Sequence, residues 1–172
     1  MNEEVFDVVN LRDEVIAREK RKVIHNNGMF HRAVHVFARD QSGKWIIQKR
    51  SESKDLDPGL WTTSCSGHVD QGESYFDAAV RECKEELGAF TSEKDLLELL
   101  RLSPCDETGK EFVRVYLRFG NLIPVGDPEE IEAFDLLSLE EIEQKIQAKP
   151  SRFSNSFVHI FKLLQVVLKK FT

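Results

Sequence analysis

The stretch from Gly67 to Ala89, GHVDQGESYFDAAVRECKEELGA, decides how this chain is read. A glycine-flanked loop feeds a segment in which Phe76, Ala79, Val80, Cys83 and Leu87 recur at the spacing of one helix face, and Gly88 stops it. On the other side Glu82, Glu85 and Glu86 are three and four residues apart, so a helix brings their carboxylates onto one patch. Like charges so placed disfavour the helix unless something offsets them. A hard divalent cation, Mg2+ or Mn2+, does so: it prefers oxygen ligands and keeps positions open for water and substrate phosphate.

Working outward, the apolar run Val5, Phe6, Val8, Val9 reads as a strand, whereas the charged segment from Arg12 to Lys22 takes no clear assignment. The stretch from His25 to His31 is turn-prone by its Asn26-Asn27-Gly28 sequence. His31 to Arg39 and Lys44 to Arg50 alternate as strands around a hairpin loop at Asp40 to Gly43, and Leu60 to Ser64 is a short strand leading to Gly67. Beyond the acidic helix, a helical turn near Thr91 and a strand from Leu96 to Ser103 precede Glu111 to Gly120, the clearest alternating strand of the chain. Ile131 to Leu136 reads as another strand. Ser138 opens a helix whose Glu141 completes a capping box, and Pro150 ends it. Phe157, Ile160, Phe161, Leu164, Val167, Leu168 and Phe171 then fall at helical spacing in a C-terminal amphipathic helix over 154–171. Strands and helices mixed in this order predict an α/β fold, a mixed sheet sandwiched by helices.

A length of 172 residues suits one domain, 1–172, with residues 1–30 as an N-terminal extension packed on it. A formal charge of -6 argues against a non-specific grip on a nucleic-acid polymer but not against a local basic pocket. No apolar run approaches the roughly 20 residues of a membrane span, and the acidic start MNEEVFDVVN lacks signal-peptide features. A cytoplasmic protein without a membrane partner is the expectation. Cys65, Cys83 and Cys105 form no CxxC pair and read as free thiols.

The organising stretch resembles the Nudix box: Gly, five residues, Glu, seven residues, then Arg-Glu-U-x-Glu-Glu-x-Gly-U, with U a bulky aliphatic residue. Gly67, Glu73, Arg81, Glu82, Glu85, Glu86 and Gly88 meet it; Cys83 and Ala89 depart from it at the two aliphatic slots. The resemblance implies an α/β/α sandwich and a Mg2+- or Mn2+-dependent hydrolase of a diphosphate linkage, in a small-molecule substrate of the nucleoside diphosphate type or related to it. On that reading Glu82 and Glu86, with Glu85 nearby, the Gly67 carbonyl and His68 hold metal. Arg81 orients the carboxylates by pairing with Glu73 or Glu85. Arg50 and Lys54 grip the diphosphate, and His31 and Trp61 complete the substrate pocket. A general base is open among the box glutamates and Glu129 or Glu130.

The segment before the box, from His31-Arg32-Ala33-Val34 through Gln48-Lys49-Arg50-Ser51, Lys54, Pro58-Gly59 and Trp61 to Gly67-His68, is similar to the subgroup related to isopentenyl diphosphate isomerase. That likeness implies a metal held by histidines in a segment like His25 to His31, by His68, and by a glutamate like Glu111. The isomerase needs a cysteine immediately before the Gly-His pair, where this chain has Ser66. A hydroxyl is a far weaker acid–base group than a thiol, and Cys65, one residue away in a strand, faces the other side. Hydrolysis is therefore expected over the alternatives, an isomerase-like enzyme or a non-catalytic Nudix ligand-binding module. The oligomeric state stays open.

Overall fold

A computed structural model of the chain describes residues 4–120 and 122–168. β1 (Val5–Val9) and β2 (Val15–Lys20) form an antiparallel hairpin, and α1 (Arg21–Asn27) follows directly. The segment from Arg12 that carries no clear pattern is thus the hairpin turn, a strand exposed along most of its length, and a seven-residue helix. Asn26-Asn27-Gly28 is the end of that helix rather than a free-standing turn. Gly28 takes the left-handed conformation at φ 58°, and the Met29 N–H donates to the Ile24 carbonyl at 3.0 Å.

β3 (His31–Arg39) and β4 (Trp45–Arg50) form the expected hairpin, tightened by Asp40, whose side chain accepts from the Ser42 and Lys44 N–H groups. They stay paired only at Ala38↔Ile46 and Arg39↔Trp45, and then diverge. β5 (Trp61–Thr62) takes the edge of β4 at Gln48 and Lys49, while β6 (Cys65–His68) takes the edge of β3 from Ala33 to Val36. The expected strand over Leu60 to Ser64 is cut to two residues because the chain crosses this gap there.

α2 (Tyr75–Leu87) is capped by Ser74, whose hydroxyl accepts from the Asp77 N–H, and by Gly88 at φ 64°. After one 3-10 turn at Glu93–Asp95, β7 (Leu96–Leu102) and β8 (Glu111–Arg118) pair antiparallel, and β8 lies parallel to β3 from His31↔Glu111 to Ala38↔Arg118. β9 (Ile131–Leu137) covers the outer edge of β4. α3 (Leu139–Ala148) has the expected Ser138–Glu141 capping box, and α4 (Asn155–Leu168) follows. Phe171 lies outside the described residues.

The resulting mixed sheet carries helices on both faces. Val34, Val36, Ile46, Cys65 and Tyr116 meet Ala79, Cys83 and Leu87 of α2 on one side. Phe37, Trp45, Ile47, Val113 and Val115 meet Ile142 of α3 and Phe157, Ile160, Phe161 and Leu164 of α4 on the other. Each of those α4 side chains is almost fully buried, worth roughly 2 kcal/mol in apolar transfer. A small third cluster of Phe6, Val8 and Ile24 fixes the N-terminal hairpin beside the gap between β3 and β4.

Candidate active site

The divergence of β3 and β4 opens a cavity of about 550 Å³, walled by β3, β6 and α2 and bordered by the loop after β4. The box carboxylates do not share one exposed patch. Glu82 and Glu86, four apart, turn toward β6 and are 7% and 6% exposed, while Glu85 stays at the rim with its side chain 58% exposed. Phe76 and Val80, expected on the core face, are only half-buried; Ala78 takes their place in the core beside Ala79 and Cys83.

Each buried carboxylate is held by one oxygen. Glu86 Oε2 accepts from the Ser66 backbone N–H at 2.9 Å and from Gln48 Nε2 at 2.8 Å. Glu82 Oε1 accepts from Arg81 Nη1 at 2.6 Å, close against the Cα of Gly67. Oε1 of Glu86 and Oε2 of Glu82 receive no hydrogen bond from the described residues. Burial, reinforced by the mutual repulsion of the two groups, pushes the Glu82 carboxyl up to about 8, and burial also raises Glu86. Two buried carboxylates that both line the cavity beside the β6 backbone are a donor set suited to a hard divalent cation.

Arg81 ties the cluster together. It forms a bidentate pair with Glu73 at 3.0 and 2.9 Å, and donates to Glu85 at 3.2 Å and to the His68 carbonyl at 2.8 Å. All its strong contacts are internal, so it sets the positions of the acids and of the β6 backbone.

A second group stands next to the first. One nitrogen of each of His25, His31 and His68 lies within 4.8 Å of the other two. Glu111 Oε1 is 3.1 Å from His68 Nε2 and 3.4 Å from His31 Nε2, and Phe6 stacks on the His68 ring at 4.7 Å between centroids. Among the described residues, His25 Nε2 and His31 Nε2 are buried without a hydrogen-bond partner. Burial pushes the Glu111 carboxyl up, but the His31 and His68 rings outweigh it and hold it well below the usual carboxylate range. Burial and the neighbouring histidines lower His25 to about 4. Three imidazoles gathered around one carboxylate, two of them with a buried nitrogen that no described residue hydrogen-bonds, fit a divalent ion with mixed nitrogen and oxygen ligands.

Arg50 and Lys54 both border the cavity. Arg50 donates through Nε to the Leu56 carbonyl at 2.9 Å, and Lys54 is paired with Glu130. Trp61 does not reach the cavity: on a two-residue strand Thr62 faces it, and the indole is turned back against the α4 side of the core. Gln48 and Arg21 were not anticipated. Gln48 shares the strand face of Arg50 two residues on, and that alternation was the available signal. Arg21 reaches the rim from α1 and pairs with Asp55 at 3.0 Å, for which no pattern existed.

Ser66 lines the cavity, whereas Cys65 points into the α2 core, its Sγ 3.8 Å from that of Cys83. Burial raises the Cys65 thiol well above its ordinary value.

Comparison with known proteins agrees with this geometry. A NUDIX domain model matches residues 29–157. An isopentenyl-diphosphate Delta-isomerase of Serratia proteamaculans is 31% identical over 163 residues, spanning 93% of this chain and 90% of that one. A Nudix hydrolase of Deinococcus radiodurans is 32% identical over 148 residues, 86% of each chain. The crystal structure of DR0079 from Deinococcus radiodurans superposes with a TM-score of 0.73 at 32% identity, covering 84% of this chain and 90% of that one. The chain belongs to the Nudix family, enzymes that act on diphosphate linkages and generally use divalent metal ions.

Proposed function

We propose that the chain is a Mg2+- or Mn2+-dependent hydrolase that cleaves the diphosphate linkage of a small molecule of the nucleoside diphosphate type or related to it. The observation that carries this reading is the pair of buried carboxylates, Glu82 and Glu86, each fixed by one oxygen and open at the other, in a cavity that Arg50 and Lys54 also border. In this reading Glu82, Glu86 and the Gly67 carbonyl hold the cation, with Glu85 at its rim and His68 on the far side of Gly67. A divalent cation held there would supply neutralisation of phosphoryl charge and a lowered pKa for a bound water.

The remaining work falls to the chain. Arg81 and Glu73 hold Glu82 in place, so the acid need not reorganise when substrate enters. Gln48 and the Ser66 N–H do the same for Glu86. Arg50 offers the phosphates the guanidinium nitrogens not used by Leu56, and bidentate geometry favours phosphate oxygens. Lys54, already neutralised in part by Glu130, contributes a weaker attraction. His31 belongs to the histidine group with His25 and His68, and Trp61 lies outside the cavity lining. The experiment is phosphate release from a panel of nucleoside di- and triphosphates, nucleotide sugars and isopentenyl diphosphate with Mg2+ or Mn2+. Turnover by the parent chain and at least a 100-fold loss in Glu86→Gln is expected; equal rates for the two would sink the reading.

A second reading, isomerisation of isopentenyl diphosphate, is favoured by the His25–His31–His68–Glu111 group and by the Serratia relative. Against it stand Ser66 at the position of the needed thiol, the inward Cys65, and a cavity lined mainly by polar and charged side chains where a prenyl tail wants an apolar wall. Allylic isomerisation by the parent chain at a rate equal to that of Ser66→Cys would reverse this ranking.

A further inference from the structure

One histidine of the cavity wall belongs to neither metal-binding group. His35 sits mid-way along β3, directly across from Ser66 on β6, and is 5% exposed. Its Nδ1 is 2.9 Å from Thr63 Oγ1. The Thr63 hydroxyl has a single proton; given to the Cys65 carbonyl at 3.1 Å, it leaves the oxygen to accept from His35. With the network closed in this way, Nδ1 carries the ring proton. Burial holds the imidazole down at about 4, so at neutral pH that is the ring's only proton. Nε2 is left as a bare lone pair; it makes no hydrogen bond among the described residues, and the residue borders the cavity together with Arg50 and Ser66.

A ring so weakly basic is a poor proton acceptor from water in a hydrolytic step. It is a good fixed acceptor for a neutral donor. The nearby lining agrees in chemistry: it includes the hydroxyl residues Thr62, Ser66, Ser154 and Ser156, while Trp61 is turned away and Phe6 is stacked on His68 with 1% exposure. Such a wall suits a hydroxylated moiety better than a stacked base.

We propose that His35 is a specificity residue whose Nε2 accepts a hydrogen bond from a sugar hydroxyl beside the diphosphate of the substrate. This rests on the diphosphate-substrate reading above and adds the class of group attached to the phosphates. A site built to bond a hydroxyl discriminates strongly against the analogue that lacks it, because its own buried acceptor is then left unpaired.

The test has two arms. Nitrogen-15 NMR of the imidazoles in the metal-free chain reads the tautomer: His35 is expected with Nδ1 protonated and Nε2 bare, and a protonated Nε2 overturns the proposal. Binding of uridine triphosphate and uridine diphosphate glucose is then measured in Ca2+ beside analogues lacking the ribose 2′- or 3′-hydroxyl or the glucose C2 hydroxyl. The parent chain should lose about tenfold in affinity for one of these analogues. His35→Gln places an amide oxygen near the Nε2 position and should keep that discrimination. His35→Asn places an amide N–H near Nδ1, preserving the bond to Thr63, and should abolish it.

The reverse pattern, Asn retaining the discrimination and Gln losing it, would assign His35 a structural role and overturn the proposal. So would equal affinity for all analogues, or no binding of either parent compound. Discrimination in Ca2+ without phosphate release from any compound in Mg2+ would count against hydrolysis while upholding His35.

Discussion

Glu82 Oε1 occupies the space that a methyl group on residue 67 needs, 1.8 Å from where a Cβ would stand. The backbone at Gly67 is not left-handed, so alanine meets no torsional obstacle there; the obstacle is the carboxylate. The end of a glutamate side chain can swing aside at little cost to the fold, but then it leaves Arg81 and the cavity. Gly67→Ala should therefore change stability by less than about 1 kcal/mol and weaken Mg2+ affinity by about 10- to 100-fold. Urea unfolding and isothermal titration with Mg2+ check the pair, and a large stability loss with intact metal affinity would refute it.

Gln48 of β4 acts on Glu86 of α2 from the sheet. Replacing it by Leu keeps the volume and removes one of the two donors to Oε2. Burial already raises Glu86, and losing this bond raises it further, so the ionised form is less available. The expected outcome in Gln48→Leu is a metal requirement shifted up about tenfold, with kcat at saturating Mg2+ falling less. A metal dependence identical to the parent's would show that Ser66 alone positions Glu86.

The two groups of ligands predict two metal sites that can be removed one at a time. Titration with Mn2+ should give two binding events per chain. His31→Ala should delete one and Glu86→Gln the other, and a chelator should lower the melting temperature of the parent more than that of His31→Ala. A single event lost in both variants would mean one shared ion.

Much of this was legible from the residues. The acid helix, its stop at Gly88, the β3–β4 hairpin and β8 follow from periodicity and from a box that fixes seven positions. The hidden parts have physical reasons. β2 is an exposed strand without an apolar face to give it a period. The split between β3 and β4 is a matter of register, which alternation cannot reveal. The burial of Glu82 and Glu86 runs against the ordinary placement of charge and is compensated by the adjacent Arg81 and, from distant segments, by Gln48 and the Ser66 backbone N–H. Trp61 is expected in the pocket because an aromatic near a phosphate site suggests stacking, whereas strand alternation brings Thr62 to the cavity lining instead.

The N-terminal hairpin depends on one residue at its turn. Asp13 accepts from Arg32 Nε at 2.6 Å, Tyr75 Oη at 2.9 Å and Arg114 Nη2 at 3.4 Å, with both guanidinium groups lying over the Tyr75 ring. Asp13→Ala leaves two partly buried cations and a phenol without their acceptor, at a cost of about 3 kcal/mol. Because this hairpin carries Phe6 against His68, the Mn2+ affinity of the histidine group should fall with stability. Chemical denaturation and Mn2+ titration of the same variant test the link; stability lost with unchanged Mn2+ binding would show that Phe6 is held independently.

His35 also makes folding pH-dependent. Its imidazole has an ordinary value of 6.5 and is held at about 4 in the folded chain by burial. Between those values the unfolded chain binds a proton that the folded chain does not, so stability rises with pH across that window. The neutral ring's contribution is fully present above 6.5 and is lost as pH falls toward 4, a change of about 3 kcal/mol. His25, lowered in the same direction but less buried, adds a smaller share. Urea unfolding in a chelator at pH 7 and at pH 4.5 should therefore show a larger drop for the parent than for His35→Gln, which has no ring to protonate. Equal drops in the two proteins would mean that His35 is charged in the folded state.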